Sequence, residues 1–404
     1  MDCRSYSILC KPAGASCNIK CDYCFYLDKK ELLNQPAASV MSERVLERFI
    51  SQYLMINTLN EVEFVWQGGE PMLCGLEFYK MVVLLQKKYG SGRKILNILQ
   101  TNGTLLTDSW CEFLAENKFL VGISIDGPED IHNTFRCNRD GNGTFSKVMQ
   151  GIDLLKKHRI PYNTLTVLNS ENVTRIEEVY SFLKEIGTGY MQFIPMVERM
   201  PAIYEEELGM TWSEPPGSLG YSGKKIMSPI SITPKQFGDF YIGVFEKWRK
   251  DDVGKQAVQF FEATLGMHLG KPPGLCYFER VCGHAGALEY NGDLYSCDHF
   301  VYPKYLLGNI FDMPLWNLME KNRDFGISKA LELPKKCLDC EVGHLCNGGC
   351  IKHRFCMTED GEKGLNYLCE GYYAFFTHTA EYFQEMQQSI LQGHKPADTD
   401  TGSV

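Results

Sequence analysis

Three thiols near the start of the chain could do chemistry together. Cys17, Cys21 and Cys24 follow the spacing C-x3-C-x2-C, which lets three thiolates converge on one face of an iron–sulfur cluster. A cubane 4Fe-4S cluster held by three cysteines keeps one iron open for a substrate or cofactor. Structural zinc asks for four closed ligands, and no fourth cysteine or histidine follows nearby. A second group opens with Cys276-x5-Cys282 and Gly292-x4-Cys297. It continues as Cys337-x2-Cys340-x5-Cys346-x3-Cys350 and closes with Cys369. Eight cysteines suffice for two fully ligated 4Fe-4S clusters or for two zinc sites, and spacing does not choose between them. A ninth, Cys356, breaks the count and is expected to be a free thiol.

The rest of the chain has to bring these groups together. Of 17 cysteines in 404 residues, five fall in the first 24 positions, nine between 276 and 369, and three between. That layout predicts a metal site at each end of a metal-free scaffold. Short segments rich in β-formers recur at 6–9, 62–66, 95–99, 121–125, 162–167 and 190–194. Helical spacing fills the gaps at 43–54, 78–89, 109–117, 145–157 and 173–186. Six β/α units in series predict an α/β fold with a parallel sheet covered by helices. Periodicity leaves open whether that sheet is flat or curled into a partial barrel. Residues 199–231, with closely spaced prolines and glycines, read as an irregular insertion. Helical patterns resume over 234–270, and Pro272, Pro273 and Gly274 punctuate the chain before the second cysteine group. The expected division is 1–233 for the β/α scaffold, 234–274 for a helical connection, 275–380 for the cysteine-rich domain and 392–404 for a flexible tail.

Charge and hydropathy exclude some functions. With 41 basic and 50 acidic side chains the formal charge is −9, so no nucleic-acid partner is expected. The apolar stretches at 81–85 and 119–125 fall far short of the ~20 residues that span a bilayer, and residues 1–17 lack the pattern of a signal peptide. The expectation is a soluble, cytoplasmic protein without a membrane partner. Thiols stay reduced in that compartment, so dense cysteine argues for metal ligation before disulfides.

The strand ends carry further motifs. Gln67-Gly68-Gly69-Glu70-Pro71 follows the second strand, Gln100-Thr101-Asn102-Gly103 ends the third, and Ser124-Ile125-Asp126-Gly127-Pro128 ends the fourth. In parallel β/α folds these loops share one face. Asp126 and Asn102 also suit the capping of following helices. Together with the cysteine triplet, these segments resemble the radical S-adenosylmethionine (SAM) superfamily, and the resemblance implies a partial (β/α)6 TIM-like barrel. By it, Cys17, Cys21 and Cys24 hold a SAM-binding 4Fe-4S cluster. Gln67, Gly68, Gly69 and Glu70 contact SAM, Ser124 meets its ribose, and Tyr23 and Val197 pack on its adenine. The later cysteines resemble the SPASM domain, which implies two auxiliary 4Fe-4S clusters. Cys276, Cys282, Cys297 and Cys350 would hold one, and Cys337, Cys340, Cys346 and Cys369 the other.

From Lys11-Pro12 to Cys369 the chain is most similar to the anaerobic sulfatase-maturating enzymes. Cys24-Phe25-Tyr26-Leu27, Ile131-His132-Asn133 and Tyr295-Ser296-Cys297-Asp298 add to that likeness. It implies oxidation of a cysteine or serine in a sulfatase C/S-x-P-x-R motif to formylglycine without oxygen. A 5′-deoxyadenosyl radical would abstract a Cβ hydrogen, with Asp298 as base, Tyr26 and Gln67 beside the substrate, auxiliary clusters as electron acceptors, and flavodoxin or ferredoxin as electron donor. A carboxylate in such a water-poor pocket is expected to have a raised pKa. The alternative reading is another SPASM-type peptide maturase, for example one forming thioether crosslinks. His132 and His299 receive no role, and Arg136 reads as one partner of a surface salt bridge.

Overall fold

One sheet of ten strands carries the chain in a computed structural model that describes residues 6–36, 38–187, 189–216 and 226–395. Its strands are β1 (Ser7–Lys11), β2 (Glu61–Trp66), β3 (Lys94–Thr101), β4 (Leu120–Ser124), β5 (Tyr162–Leu168), β6 (Tyr190–Pro195), β7 (Ala257–Val258), β8 (Ala285–Glu289), β9 (Asp293–Tyr295) and β10 (Leu306–Asn309). Their order across the sheet is β10-β9-β8-β1-β2-β3-β4-β5-β6-β7. Strands β1 to β6 are the six expected segments, all parallel, and helices between them cover the sheet as a partial (β/α)6 barrel.

Local chemistry explains the units. Helix Glu43–Ile56 starts where Ser42 Oγ accepts from Val45 N–H, and it turns Leu46, Phe49, Ile50 and Tyr53 onto the sheet. On β2, Val62, Phe64 and Trp66 alternate inward, and Phe49 packs edge-on to both aromatic rings. Asn97 Oδ1 accepts from the buried Trp66 indole at 2.9 Å.

The later part of the chain extends the same sheet. Strand β8 pairs in parallel with β1, setting Lys11 opposite Glu289, and β9 and β10 add antiparallel strands at that edge. Helix Cys369–Leu391 packs on helix Pro234–Asp251 through Tyr372, Phe375 and Phe237. The helical patterns expected over 234–270 take the form of two helices, Pro234–Asp251 and Gln259–His268, flanking β7, which pairs with β6. Gly254, at φ +73°, makes the turn, and a two-residue strand is too short to disturb a helical period. Within the triplet, Ile19–Cys21 forms an antiparallel ribbon with Arg136–Asn138. Within the insertion, Ile203–Glu207 is helical, while 217–225 and the tail from 396 lie outside the described residues. No helix among the described residues is long and apolar enough to cross a membrane.

Candidate active site

The carboxyl ends of β1 to β4 and β8 bring the motifs together. Gly69 N–H donates to Gly14 O at 2.9 Å and Glu70 N–H to Ser16 O at 2.8 Å, stitching the Gly-Gly-Glu turn to the loop before Cys17. A Cβ on Gly69 would sit 2.0 Å from Ser16 O, so only glycine permits this approach, and Gly68 turns at φ +131°. Glu70 is fully buried, and its carboxylate accepts from Met72 N–H (3.0 Å), Thr101 Oγ1 (2.8 Å) and Asn102 N–H (2.8 Å). Burial pushes its pKa up to about 7 against those donors. Glu70 therefore braces the second motif on the third. Asn102 carries the brace onward, donating to Asn18 Oδ1 at 2.9 Å and reaching Cys17 Sγ at 3.8 Å. Rather than capping a helix, its Oδ1 accepts from Thr104 N–H.

Asp126 does not cap a helix either. It forms a buried ion pair with Arg136, Nε to Oδ2 at 3.0 Å and Nη2 to Oδ1 at 3.2 Å, while Nη1 reaches Cys21 Sγ at 3.9 Å. The surface role expected for Arg136 is thus corrected: the Arg136–Asn138 ribbon carries it inward beside the triplet. Tyr23 donates to Asp126, and its ring packs on Phe135, Met196 and Trp212 of the insertion. Ser124 Oγ accepts from Gln100 at 3.2 Å, and Val197 is buried in the main core.

A second polar group joins both ends of the chain. Asp298 pairs with the buried Lys11 ammonium and accepts from Gln67 Nε2 at 3.4 Å. Lys11 lies 3.8 Å from the centre of the Tyr26 ring, and Tyr26 donates its hydroxyl to Glu289, which also accepts from Gln35 at 3.0 Å. The raised pKa expected for Asp298 is corrected. Burial pushes the carboxyl up, but the Lys11 ammonium, with His299 and Lys352 nearby, outweighs it and holds the group below its ordinary range. Glu289 shows the opposite balance, pushed up to about 8 by burial. Lys11 and Glu289 escaped the sequence reading because nothing local marks them. His299 gains a place between the cysteine groups: its ring is edge-on to Phe25 at 5.6 Å, and Nδ1 is 3.7 Å from Cys350 Sγ.

The thiols sort by proximity. Cys17, Cys21 and Cys24 lie within electrostatic reach of one another, as do Cys276, Cys282, Cys297 and Cys350. Cys337, Cys340, Cys346 and Cys369 form the third set and line a cavity of ≈ 590 Å³. No disulfide joins the described cysteines, and Cys356 lies on the short strand Cys356–Met357. Among the described residues, no three His, Cys, Asp or Glu side chains close on a point as ligands of one ion do; thiolates around a cubane stand further apart. Burial raises the thiols of Cys17 and Cys24 to about 12 and about 11. Such groups ionise only against added positive charge, which iron supplies. The donor sets and the cavity fit iron–sulfur clusters.

Known proteins share this organisation. Residues 12–183 match the radical SAM superfamily and residues 280–341 an iron–sulfur cluster-binding domain of the SPASM type. A serine-type anaerobic sulfatase-maturating enzyme of Bacteroides thetaiotaomicron is 46% identical over 393 residues, 97% of this chain and 93% of that one. A cysteine-type anaerobic sulfatase-maturating enzyme of Clostridium perfringens is 36% identical, covering 92% of this chain and 95% of the relative. A solved structure of native anSMEcpe with bound AdoMet and Cp18Cys peptide matches with a TM-score of 0.80 at 34% identity, over 95% of this chain and 99% of that one.

Proposed function

Because the chain belongs to the anaerobic sulfatase-maturating enzymes of the radical SAM superfamily, we propose that it oxidises a serine or cysteine of a sulfatase polypeptide to formylglycine without oxygen. Cys17, Cys21 and Cys24 would hold the SAM-binding 4Fe-4S cluster. Cys276, Cys282, Cys297 and Cys350 would hold one auxiliary cluster, and Cys337, Cys340, Cys346 and Cys369 the other. When bound, SAM and the clusters supply a hydrogen-abstracting 5′-deoxyadenosyl radical and a sink for the second substrate electron.

The chain's own residues bind, orient and move a proton. The Gly68–Gly69 backbone, held by Glu70, presents a surface that a ligand can approach closely, framed by Ser124, Tyr23 and Val197. Asp298 takes the proton of the substrate hydroxyl or thiol. Lys11 keeps that carboxylate ionised and ready, while Gln67 and Tyr26 orient the target side chain. One observation carries the reading: Asp298, next to Cys297, meets Gln67 and Lys11 from the other end of the chain, within a contact of Tyr26, two residues after Cys24. The client is a sulfatase segment of the form C/S-x-P-x-R, the electron donor a flavodoxin or ferredoxin, and the compartment the reducing cytoplasm.

The test incubates reduced, iron-loaded protein with SAM and peptides carrying S-x-P-x-R or C-x-P-x-R, reading aldehyde and 5′-deoxyadenosine. Aldehyde from either peptide supports the reading; a crosslinked product, or no aldehyde from both, rejects it. Asp298→Asn keeps SAM cleavage and loses aldehyde by about 10²-fold or more. An unchanged aldehyde yield removes Asp298 from the base role.

A further inference from the structure

Between the two cysteine quartets the chain buries two cations that the proposed chemistry does not use. Lys329, on helix Leu315–Leu331, is 1% exposed, and Arg354 is 7% exposed. The Lys329 ammonium donates to the carbonyls of Cys276 (3.0 Å), Tyr277 (2.9 Å) and Glu279. Arg354 donates through Nε to Gly348 O at 2.9 Å, through Nη2 to Asn347 O at 2.7 Å and through Nη1 to Lys329 O at 2.5 Å. Every one of these partners is a backbone carbonyl, and Gly348 and Asn347 lie in the turn from Cys346 to Cys350. Neutral acceptors solvate a buried charge but do not cancel it, so both cations call for nearby anions.

The thiols answer that demand. Lys329 is within electrostatic reach of Cys276, Cys282 and Cys350, all of one quartet, whereas Arg354 reaches Cys282 and Cys350 of that quartet and Cys337 and Cys346 of the other. Glu332 stands near Arg354 without contacting it. Reducing a cluster adds one electron and hence one unit of negative charge. A fixed cation in a low-dielectric interior stabilises the reduced form over the oxidised one and raises its potential.

We propose that Lys329 and Arg354 set the reduction potentials of the auxiliary clusters, Lys329 acting on the one held by Cys276, Cys282, Cys297 and Cys350, and Arg354 on both. This rests on the reading that the two quartets hold clusters. Both are positioning residues: they touch ligand-bearing backbone and not the substrate.

The test is a redox titration followed by electron paramagnetic resonance, in the full chain with Cys17, Cys21 and Cys24 replaced by Ala so that only the quartets report. Iron is counted first, and two one-electron waves are then read. Lys329→Gln moves one wave and Arg354→Gln both, to more negative potential, by about tenfold in the reduction equilibrium, ~59 mV for a one-electron step. Lys329→Arg and Arg354→Lys stay within about twofold. Leu333, whose side chain lies with the Arg354 guanidinium against Gly348, offers a route that leaves both cations in place. Leu333→Glu brings a carboxylate to Arg354 and lowers both waves, whereas Leu333→Gln lowers neither. A parent chain without iron overturns the cluster reading and this proposal together. Full iron with unmoved potentials, or equal shifts in the charge-retaining variants, overturns this proposal alone.

Discussion

Lys11 shows how one residue couples several roles. Its ammonium pairs with Asp298, lies over the Tyr26 ring, and stands in register with Glu289. Removing it takes away the largest influence that lowers the Asp298 pKa, leaving burial to push the carboxyl up. In Lys11→Met the acid limb of the pH profile for aldehyde formation therefore moves to higher pH while SAM cleavage is spared; a profile superimposable on the parent's rejects the role. Glu289 makes a different prediction. Its folded value, about 8, lies above the ordinary carboxylate value, so the fold retains a proton that the unfolded chain releases. The stability linked to that proton is fully present below about pH 4.5 and is lost as pH rises through about 8. Glu70, at about 7, adds in the same direction. Unfolding temperature should fall between pH 5 and 8, and less steeply in Glu289→Gln, which mimics the protonated form. Equal slopes in the two proteins would falsify the linkage.

At the scale of elements, the turn after β2 is held by proximity to the loop before Cys17. In Gly69→Ala a methyl meets the Ser16 carbonyl, and the backbone must part there. The expected cost is about 1–3 kcal/mol in denaturant unfolding, with weakened SAM binding; full stability with tight SAM binding would show that the approach is not needed. The six main strands and their helices were legible because each repeats a buried face over four or more residues, as Val62, Phe64 and Trp66 do on β2. β7 and the Ile19–Cys21 ribbon were not, because two or three residues carry no period. The cysteine groups and Asp298 announce themselves by spacing and by likeness to a family. Glu289 does not: its partner Tyr26 is 263 positions away, and only the pairing of β8 with β1 brings them together. Lys329 and Arg354 were hidden for the same reason, since long-range packing turns ordinary surface residue types inward.

Across the whole molecule, the sheet makes the barrel dependent on the cysteine-rich part of the chain. A chain cut at 274 loses β8 from the edge of β1 and the Cys369–Leu391 helix from Phe237, Tyr241 and Phe260. An unpaired β1 edge beside an uncovered aromatic layer is a template for aggregation. The fragment should collect in the insoluble fraction, and a soluble, cooperatively unfolding 1–274 would show the barrel to be autonomous. The same continuity bears on when the proposed client can be modified. Lys11 and Tyr26 are almost wholly buried, and β1, which carries Lys11 to Asp298, pairs in parallel with β8. On the proposed function, groups so enclosed favour a target residue offered on a slack, extended segment, with the client met before it has folded and its motif still a thread.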